Sequence, residues 1–556
     1  MSYSVEIMAI MALSSSLVAA EPAADGYRDL RRHPDAVTVI TETGTVALVR
    51  GATDAWSGAG IRVTMVSKHD GLHVSLAAPE AAVKKLRLHW QGMPERGWKY
   101  LGDTWERGYG DLEWRPLDAM RPLPWYVLAS DGRRTHAYGV MTQPAALCCW
   151  KFDERGLTLL ADVRCGGAGV RLGTRTLEVC TVASRRGRDG ETPFAAAVAF
   201  CRQLCPHPRL PQQPVYGFNN WYCDYGNISA ESVRLDAAFV ARLAPRGGNR
   251  PFMVIDDGWQ ANHGDAKGAW DHGNAKFPDM AALAADMVKT GTRPGIWVRL
   301  LAAQPGQPEG WKLARDRAYL DPSVPEVRAY VTATVRRLRG WGYELIKHDY
   351  STFDLTGRWG FQMGDDEMTA DGWAYADRSR TTAEIVIDHY RSIRAGAGDA
   401  LVIGCNTIGH LAAGIFELNR TGDDTSGREW DRVRKMGVNT LAFRMSQHGA
   451  FFAVDADCVG QTATDSIPWD KNRQWLDLLS RSGTPLFVSF KRGSVTPEQE
   501  RALKVALAAA SKPLPAGEPL DWFDTRLPRR WKLDGSQSEF DWSDLHPALP
   551  KTPSKP

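Results

Sequence analysis

From Val215 to about Lys512 short apolar runs alternate with helix-period segments, and this alternation constrains the fold more than any other feature. The runs are VYGFNNWY, PFMVIDDGW, RPGIWVRLL, YELIKHDY, ALVIGCN, IFELNRTGDD, FFAVDADC and TPLFVSF. Between and after them lie amphipathic stretches such as SAESVRLDAAFVARLA, PEVRAYVTATVRRLRGWG and TPEQERALKVALAAASK, and only the fifth helix, near HLAAG, is faint. Strand–helix alternation points to a parallel sheet, because parallel neighbours must be joined by a crossover. Eight such units within about 300 residues fit a (β/α)8 barrel, for which roughly 250 residues is typical. An open doubly wound sheet of eight strands is the alternative. Ser229 ahead of Glu231, and Thr496 followed by Glu498, mark two helix starts.

The remainder of the chain reads differently. From about residue 27 to 200, runs such as AVTVITETGTVALVR and IRVTMVSKHDGLHVSLAA alternate with period two between Gly, Asp and Pro turns, as antiparallel strands do. The expected layout is an N-terminal β-sandwich over 21–205, a catalytic barrel over 206–512 after the connector CPHPRLPQQP, and a C-terminal β-rich segment over 513–556. Residues 1–20 carry an apolar run, Ile7 to Leu13, and a small-residue end, Val18-Ala19-Ala20, of signal-peptide type; Glu6 stands where such a peptide carries Lys or Arg. The expected location is periplasmic or secreted, with a cytoplasmic protein as the alternative. Nine cysteines form no CxxC pair of zinc spacing and are expected to be mostly reduced thiols, a Cys201–Cys205 bridge being the other option.

Charge narrows the partners. Lys and Arg number 68 against 65 Asp and Glu, with no basic stripe for nucleic acid and no polybasic membrane patch. The expected partner is a neutral polar molecule, and 21 Trp residues suit stacking on a sugar such as an oligosaccharide or glycoside.

In a barrel the active site forms at the C-terminal ends of several strands. Those ends read Asn219-Asn220-Trp221, Asp256-Asp257-Gly258-Trp259, Arg299, Lys347-His348-Asp349, Cys405-Asn406, Arg420 with Asp423-Asp424, and Asp455 with Asp457. Carboxylates on four strands converge on one mouth. Metal sites in hydrolytic barrels usually add His to carboxylates, but His348 adjoins Asp349 and points to the opposite strand face, so no metal or other cofactor is expected. Cleavage of a glycosidic bond instead needs two carboxyl groups, about 5–5.5 Å apart for retention or 6.5–9.5 Å for inversion. Asp349 and Asp423 suit either spacing. Lys347 shares a strand face with Asp349 and is expected to keep it ionised, the alternative being a purely structural Lys–Asp pair. Asp455 and Asp457, also on one face, read as sugar ligands, with metal binding or plain solvation as the alternatives. The insertion 351–380, with Phe353, Trp359, Phe361, Trp373 and Tyr375, reads as a lid, a subsite or a packed surface loop.

VIDDGW, GIWV, IKHDY and RTGDDTSG, in that order, together with NISAESVRLDAAFVARLAPRGGNRPFMVIDDGW, resemble the clan of retaining α-galactosidases and α-glucosidases, most closely family 36 with its raffinose-synthase-like members. The resemblance covers roughly residues 215 to 490. It implies Asp349 as the nucleophile of a covalent glycosyl-enzyme and Lys347 as a hydroxyl-binding lysine. It further implies Asp256 and Asp257 as ligands of the 4- and 6-hydroxyls, Trp221 as an aromatic wall, and Arg420 as the arginine before the acid/base. GDDT matches the clan's acid/base pattern at Asp423, whereas counting four residues from the arginine gives Asp424; Asp423 is the preferred of the two. Trp259, Arg299, Cys405 and Asn406 complete the expected substrate-binding set. Two departures, GCNTIGH in place of a Cys followed by a Gly-rich stretch and WVRLLAAQ without a glutamate, leave the sugar open. The expected activity is hydrolysis of terminal α-linked sugars. A transglycosylase using the same intermediate, a non-catalytic carbohydrate-binding barrel and a metal-dependent barrel hydrolase are the alternatives. The oligomeric state stays open.

Overall fold

The computed structural model describes residues 26–545 apart from 53, 93–96, 265–266, 366–367 and 462–466; the expected signal segment 1–20 lies outside the described residues. A parallel sheet runs through β1 (Tyr216–Asn219), β2 (Phe252–Ile255), β3 (Arg293–Val298), β4 (Leu345–His348), β5 (Leu401–Gly404), β6 (Leu418–Arg420), β7 (Ala453–Asp455), β8 (Cys458–Gln461) and β9 (Leu486–Phe490). Its neighbour order is β7-β6-β5-β4-β3-β2-β1-β9-β8, every pair parallel. The two ends of that path, β7 and β8, follow one another in the chain through Ala456 and Asp457 alone. These strands are short and almost wholly buried, because helices cover the face that the interior does not.

The sheet has two distinct faces. On one, Val254, Leu345, Ile403, Leu418 and Phe487 form a separate apolar cluster, part of which closes a small cavity with Lys347, Arg420, Asp455 and Asp457. On the other, His348 of β4 packs against His389, Tyr390 and Phe416. Burial without compensating charge lowers the pKa of His348 to about 3, so it is a neutral core residue, as its alternation with Lys347 and Asp349 predicts.

Helices fall where the periodicity places them, including α1 (Ala230–Leu243), α2 (Met280–Thr290), α3 (Pro325–Gly340), α4 (Thr382–Ala397), α5 (Trp469–Arg481) and α6 (Pro497–Ala510). Both expected caps form, with partners one residue beyond the glutamates. The Ser229 hydroxyl accepts from Ser232 N–H at 3.1 Å, and Thr496 accepts from Gln499 N–H at 3.2 Å. The N3 side chain is the one that reaches back to the cap, so Glu231 and Glu498 act instead as first-turn anions facing the helix N-terminus. The fifth helix is a single turn, Gly409–Ala412.

Before the parallel sheet lies one large antiparallel sheet of fourteen strands, with inside–outside alternation in segments such as Ile61–Ser67. A helix over Pro193–Leu204 and a pair of antiparallel strands, Gln260–Gly264 and Lys267–Gly273, were not legible in the strand pattern. Three short antiparallel strands, Glu518–Pro519, Arg530–Leu533 and Ser536–Glu539, make up the C-terminal sheet. All nine cysteines are free thiols, Cys201 and Cys205 included. Among the described residues no helix is long and apolar enough to cross a membrane.

Candidate active site

The strand ends collect the polar residues named from the sequence, and each carries out a definable task. Asp349 follows the last residue of β4. Its carboxylate accepts from the Trp297 indole N–H at 3.3 Å and from Tyr350 N–H at 2.7 Å. The turn that presents it is unusual, because Tyr350 lies in the left-handed region at φ 62, a conformation that a bulky residue keeps only when its surroundings impose it. Arg299 imposes it from one side, lying 4.0 Å from the Tyr350 ring and gripping Asp354 with two bonds of 3.0 and 2.6 Å. Asn406 imposes it from the other. Its carbonyl accepts from Ser351 Oγ at 2.9 Å, and its side-chain oxygen accepts from Phe353 N–H at 3.2 Å.

Lys347 does not pair with Asp349 as its spacing suggests. Its ammonium donates to Asp256 at 2.7 Å, across from β4 to the end of β2. Burial acts to lower the lysine's pKa, but Asp256, with Cys405 and Asp457 adding to it, holds the ammonium well above the ordinary lysine range. The second strand's carboxylates are tied in turn. Asn219 donates to Asp256 at 2.8 Å, and Gln260 donates to Asp257 at 2.5 Å. Gly258, which follows the two carboxylates, sits at φ 117, and a Cβ there would meet the Gly226 carbonyl at 2.5 Å. The glycine in DDGW is therefore a geometric requirement.

The sixth and seventh strands form a second network. Arg420 reaches Asp424 at 3.2 Å, Asp457 at 3.0 Å and the Cys405 sulfur at 3.2 Å. Asp457, itself at φ 70, also accepts from the Tyr222 hydroxyl and from Thr425 N–H and Oγ. It is a hub that fixes the turn after Asp424. Asp455 accepts from Asp457 N–H at 3.0 Å and, chiefly through burial, has its pKa raised to about 6 against the opposing pull of Arg420. Burial would also raise Asp424, yet Arg420, Arg107 and Lys347 together hold it below the usual carboxylate range.

Asp423 and Asp424 have different surroundings. Asp423 is clamped between Arg107 at 2.9 Å and Arg432 at 3.0 Å. Asp424 keeps 39% of its side chain exposed and shares its cationic neighbours with the centre of the cluster. The Tyr350 phenol is raised chiefly by burial, and the charges of Asp349, Asp424 and Asp257 add to that shift.

Not every expected ligand faces the opening. Trp259 is 0% exposed, and its indole donates to the Trp297 carbonyl at 2.8 Å. It is packing, because a completely buried ring has no surface for a ligand. Arg299, Asn406 and Asp457 are committed to the bonds that hold the two turns, whereas Trp221, Asp349 and Asp424 remain partly exposed. Trp297, Tyr222, Glu106 and Arg107 were missed. GIWV pointed to Trp297 as part of a motif without assigning it a task. Nothing in WERGYG, in the N-terminal region, signals that Glu106 and Arg107 reach strand ends three hundred positions away. Among the described residues no group of three or more His, Cys, Asp or Glu side chains is arranged to hold a metal ion.

The chain shares its fold with solved structures of α-galactosidases, family 36 enzymes among them. Among solved structures it is similar to the α-galactosidase TtGalA of Thermus thermophilus in complex with p-nitrophenyl α-D-galactopyranoside, with a TM-score of 0.58 and 18% identity over 89% of this chain and 99% of that one. It is also similar to the family 36 α-galactosidase AgaA of Geobacillus stearothermophilus, at 0.55 and 14% over 86% and 75%. The α-galactosidase of Lactobacillus brevis is a third, at 0.56 and 14% over 86% and 73%. The sequence matches no protein-family profile and no curated protein. At these identities the likeness is one of fold.

Proposed function

We propose that the protein is a retaining, exo-acting α-glycosidase of α-galactosidase type, acting on terminal α-linked sugars. The observation that carries this reading is that Asp349, steadied by Trp297 and Tyr350 after β4, and Asp424, which Arg420 braces after β6, stand at the same ends of the parallel strands. The fold neighbours that hold p-nitrophenyl α-D-galactopyranoside and stachyose support a sugar substrate.

In this reading Asp349 attacks the anomeric carbon and the leaving oxygen takes a proton from Asp424. Asp424 then removes a proton from the water that releases the sugar from Asp349. Asp424 is preferred here to Asp423, the first choice from sequence, because the Arg107 and Arg432 guanidiniums occupy both carboxylate oxygens of Asp423, whereas Asp424 keeps 39% of its side chain exposed. Asp256 and Asp257 are ligands for sugar hydroxyls, and Trp221 is a wall. The same reading takes 1–20 as a secretion signal, 21–205 as a β-sandwich, 206–512 as a closed (β/α)8 barrel whose seventh strand is interrupted at Ala456 and Asp457, and 513–556 as a C-terminal β-rich segment.

A panel of aryl α-glycosides tests it. The wild-type protein should hydrolyse at least one with retention at the anomeric carbon, and Asp349→Asn should lose turnover while keeping its unfolding midpoint. An inverted product, or unchanged turnover in that variant, would overturn the assignment. Added disaccharide acceptor separates hydrolysis from sugar transfer.

A further inference from the structure

Arg107 belongs to the N-terminal region, yet it is buried against the turn that follows β6. Its guanidinium meets Asp423 at 2.9 Å, and the adjacent backbones lock together: Gly108 N–H donates to the Thr421 carbonyl at 2.7 Å and Asp423 N–H donates to the Gly108 carbonyl at 3.2 Å. Neither glycine at this junction tolerates a side chain. A Cβ at Gly422 would lie 2.0 Å from the Met436 carbonyl, and one at Gly108 would lie 2.7 Å from Thr440 Cγ2. Arg107 is held in turn by Glu106 at 3.1 Å, and Glu106 accepts from Tyr109, Gly360 N–H and Asn406. On the far side, Arg432 takes the second oxygen of Asp423 at 3.0 Å and donates to the Asp424 carbonyl at 2.9 Å. The peptide group before Asp423 and the one after Asp424 are thus fastened by contacts that begin outside the parallel sheet.

From this geometry we infer that Arg107 is a positioning residue: by pinning Asp423 it fixes the depth and direction at which Asp424 meets the leaving group. The inference rests on the reading of Asp424 as the acid/base. It gives Asp423 a task of its own, as the handle through which the N-terminal region holds the catalytic turn. Small displacements of a catalytic group carry large rate effects, because a general acid works only within hydrogen-bond reach of the oxygen it protonates. A buried ion pair with no bearing on catalysis would show its loss only in stability.

Leaving-group dependence separates these roles. In the full-length chain, kcat/KM is measured for Arg107→Ala, Arg107→Lys, Asp423→Asn and Asp424→Asn on two substrates of one sugar. One carries p-nitrophenolate, which departs with little protonation; the other is an α-linked oligosaccharide such as stachyose, whose leaving oxygen needs a proton. For Arg107→Ala and Asp423→Asn the oligosaccharide should lose about 10- to 100-fold while the aryl glycoside stays within a few-fold, and Arg107→Lys should recover part of the loss. Equal losses on both substrates, or none, overturn the inference. If Arg107→Ala does not fold, Asp423→Asn and Arg107→Lys decide by the same ratio. An Asp424→Asn variant without leaving-group dependence, or a wild-type protein inactive on every α-glycoside, sinks the acid/base reading and this inference with it. An Asp424→Asn variant that shows the dependence beside an Arg107 series that does not sinks the positioning role alone.

Discussion

Replacing Lys347 by methionine tests the electrostatic centre of the site, because it removes the charge and keeps most of the volume. The ammonium lies 2.7 Å from Asp256 and only 8% of the residue is exposed, so the variant leaves a buried carboxylate without its cation. Breaking a buried pair in this way costs about 3–5 kcal/mol. Asp256 retains the bonds from Asn219 at 2.8 Å and from Asp257 N–H at 2.9 Å, which places the expected loss near the lower end, about 3 kcal/mol at neutral pH. The dependence on pH follows from linkage. In the wild-type protein the folded-state pKa of Lys347 is raised, so its contribution is fully present below the ordinary lysine value near 10.4 and fades only as pH rises through the folded value. In the variant the cost is that of a charge buried without its counter-ion, and acid relieves a cost of that kind by neutralising the charge. Urea unfolding followed by tryptophan fluorescence, at about pH 7 and about pH 4.5, should show a large deficit that narrows on acidification. A deficit under about 1 kcal/mol at neutral pH, or one equally large at both, would refute the reasoning.

Other perturbations have definite outcomes. Gly258→Ala puts a Cβ 2.5 Å from the Gly226 carbonyl at a positive φ, so it should lower stability in urea by about 1–3 kcal/mol or more, and an unchanged midpoint would contradict the left-handed turn. Asp424, held below the usual carboxylate range by Arg420, Arg107 and Lys347 against its partial burial, must be protonated for the first step, so kcat/KM should be greatest in acid and fall as pH rises above about 4; a profile flat from about pH 4 to about pH 8 would exclude it as the acid. Thiol alkylation at about pH 7.5 should be slow in the folded protein, since eight of the nine cysteines are buried and burial raises thiols such as Cys201, to about 12; rapid labelling of several thiols would contradict the packing.

Local physics made much of this molecule legible in advance. The period-two and helix-period patterns are properties of neighbouring residues, so the strand–helix alternation, the two caps and the outward face of His348 were readable without coordinates. Partner choice was not. Lys347 and Asp349 share a strand face, yet the ammonium turns to Asp256 because β2 and β4 bring that carboxylate within 2.7 Å. Trp259 ends in the core and Arg299 under Tyr350 for a similar reason: spacing gives the side a residue faces but not what already occupies that side.

The sequence by itself determined which residue types gather at the strand ends, because strand–helix alternation is written in short-range pattern. Only the tertiary structure decided which cations surround each carboxylate. Asp423 and Asp424 are neighbours with the same chemistry, and what separates them is two arginines, one of them delivered from more than three hundred residues upstream. Electrostatic interaction depends on distance through space and on the water excluded along the way, and the order of residues along a chain specifies neither.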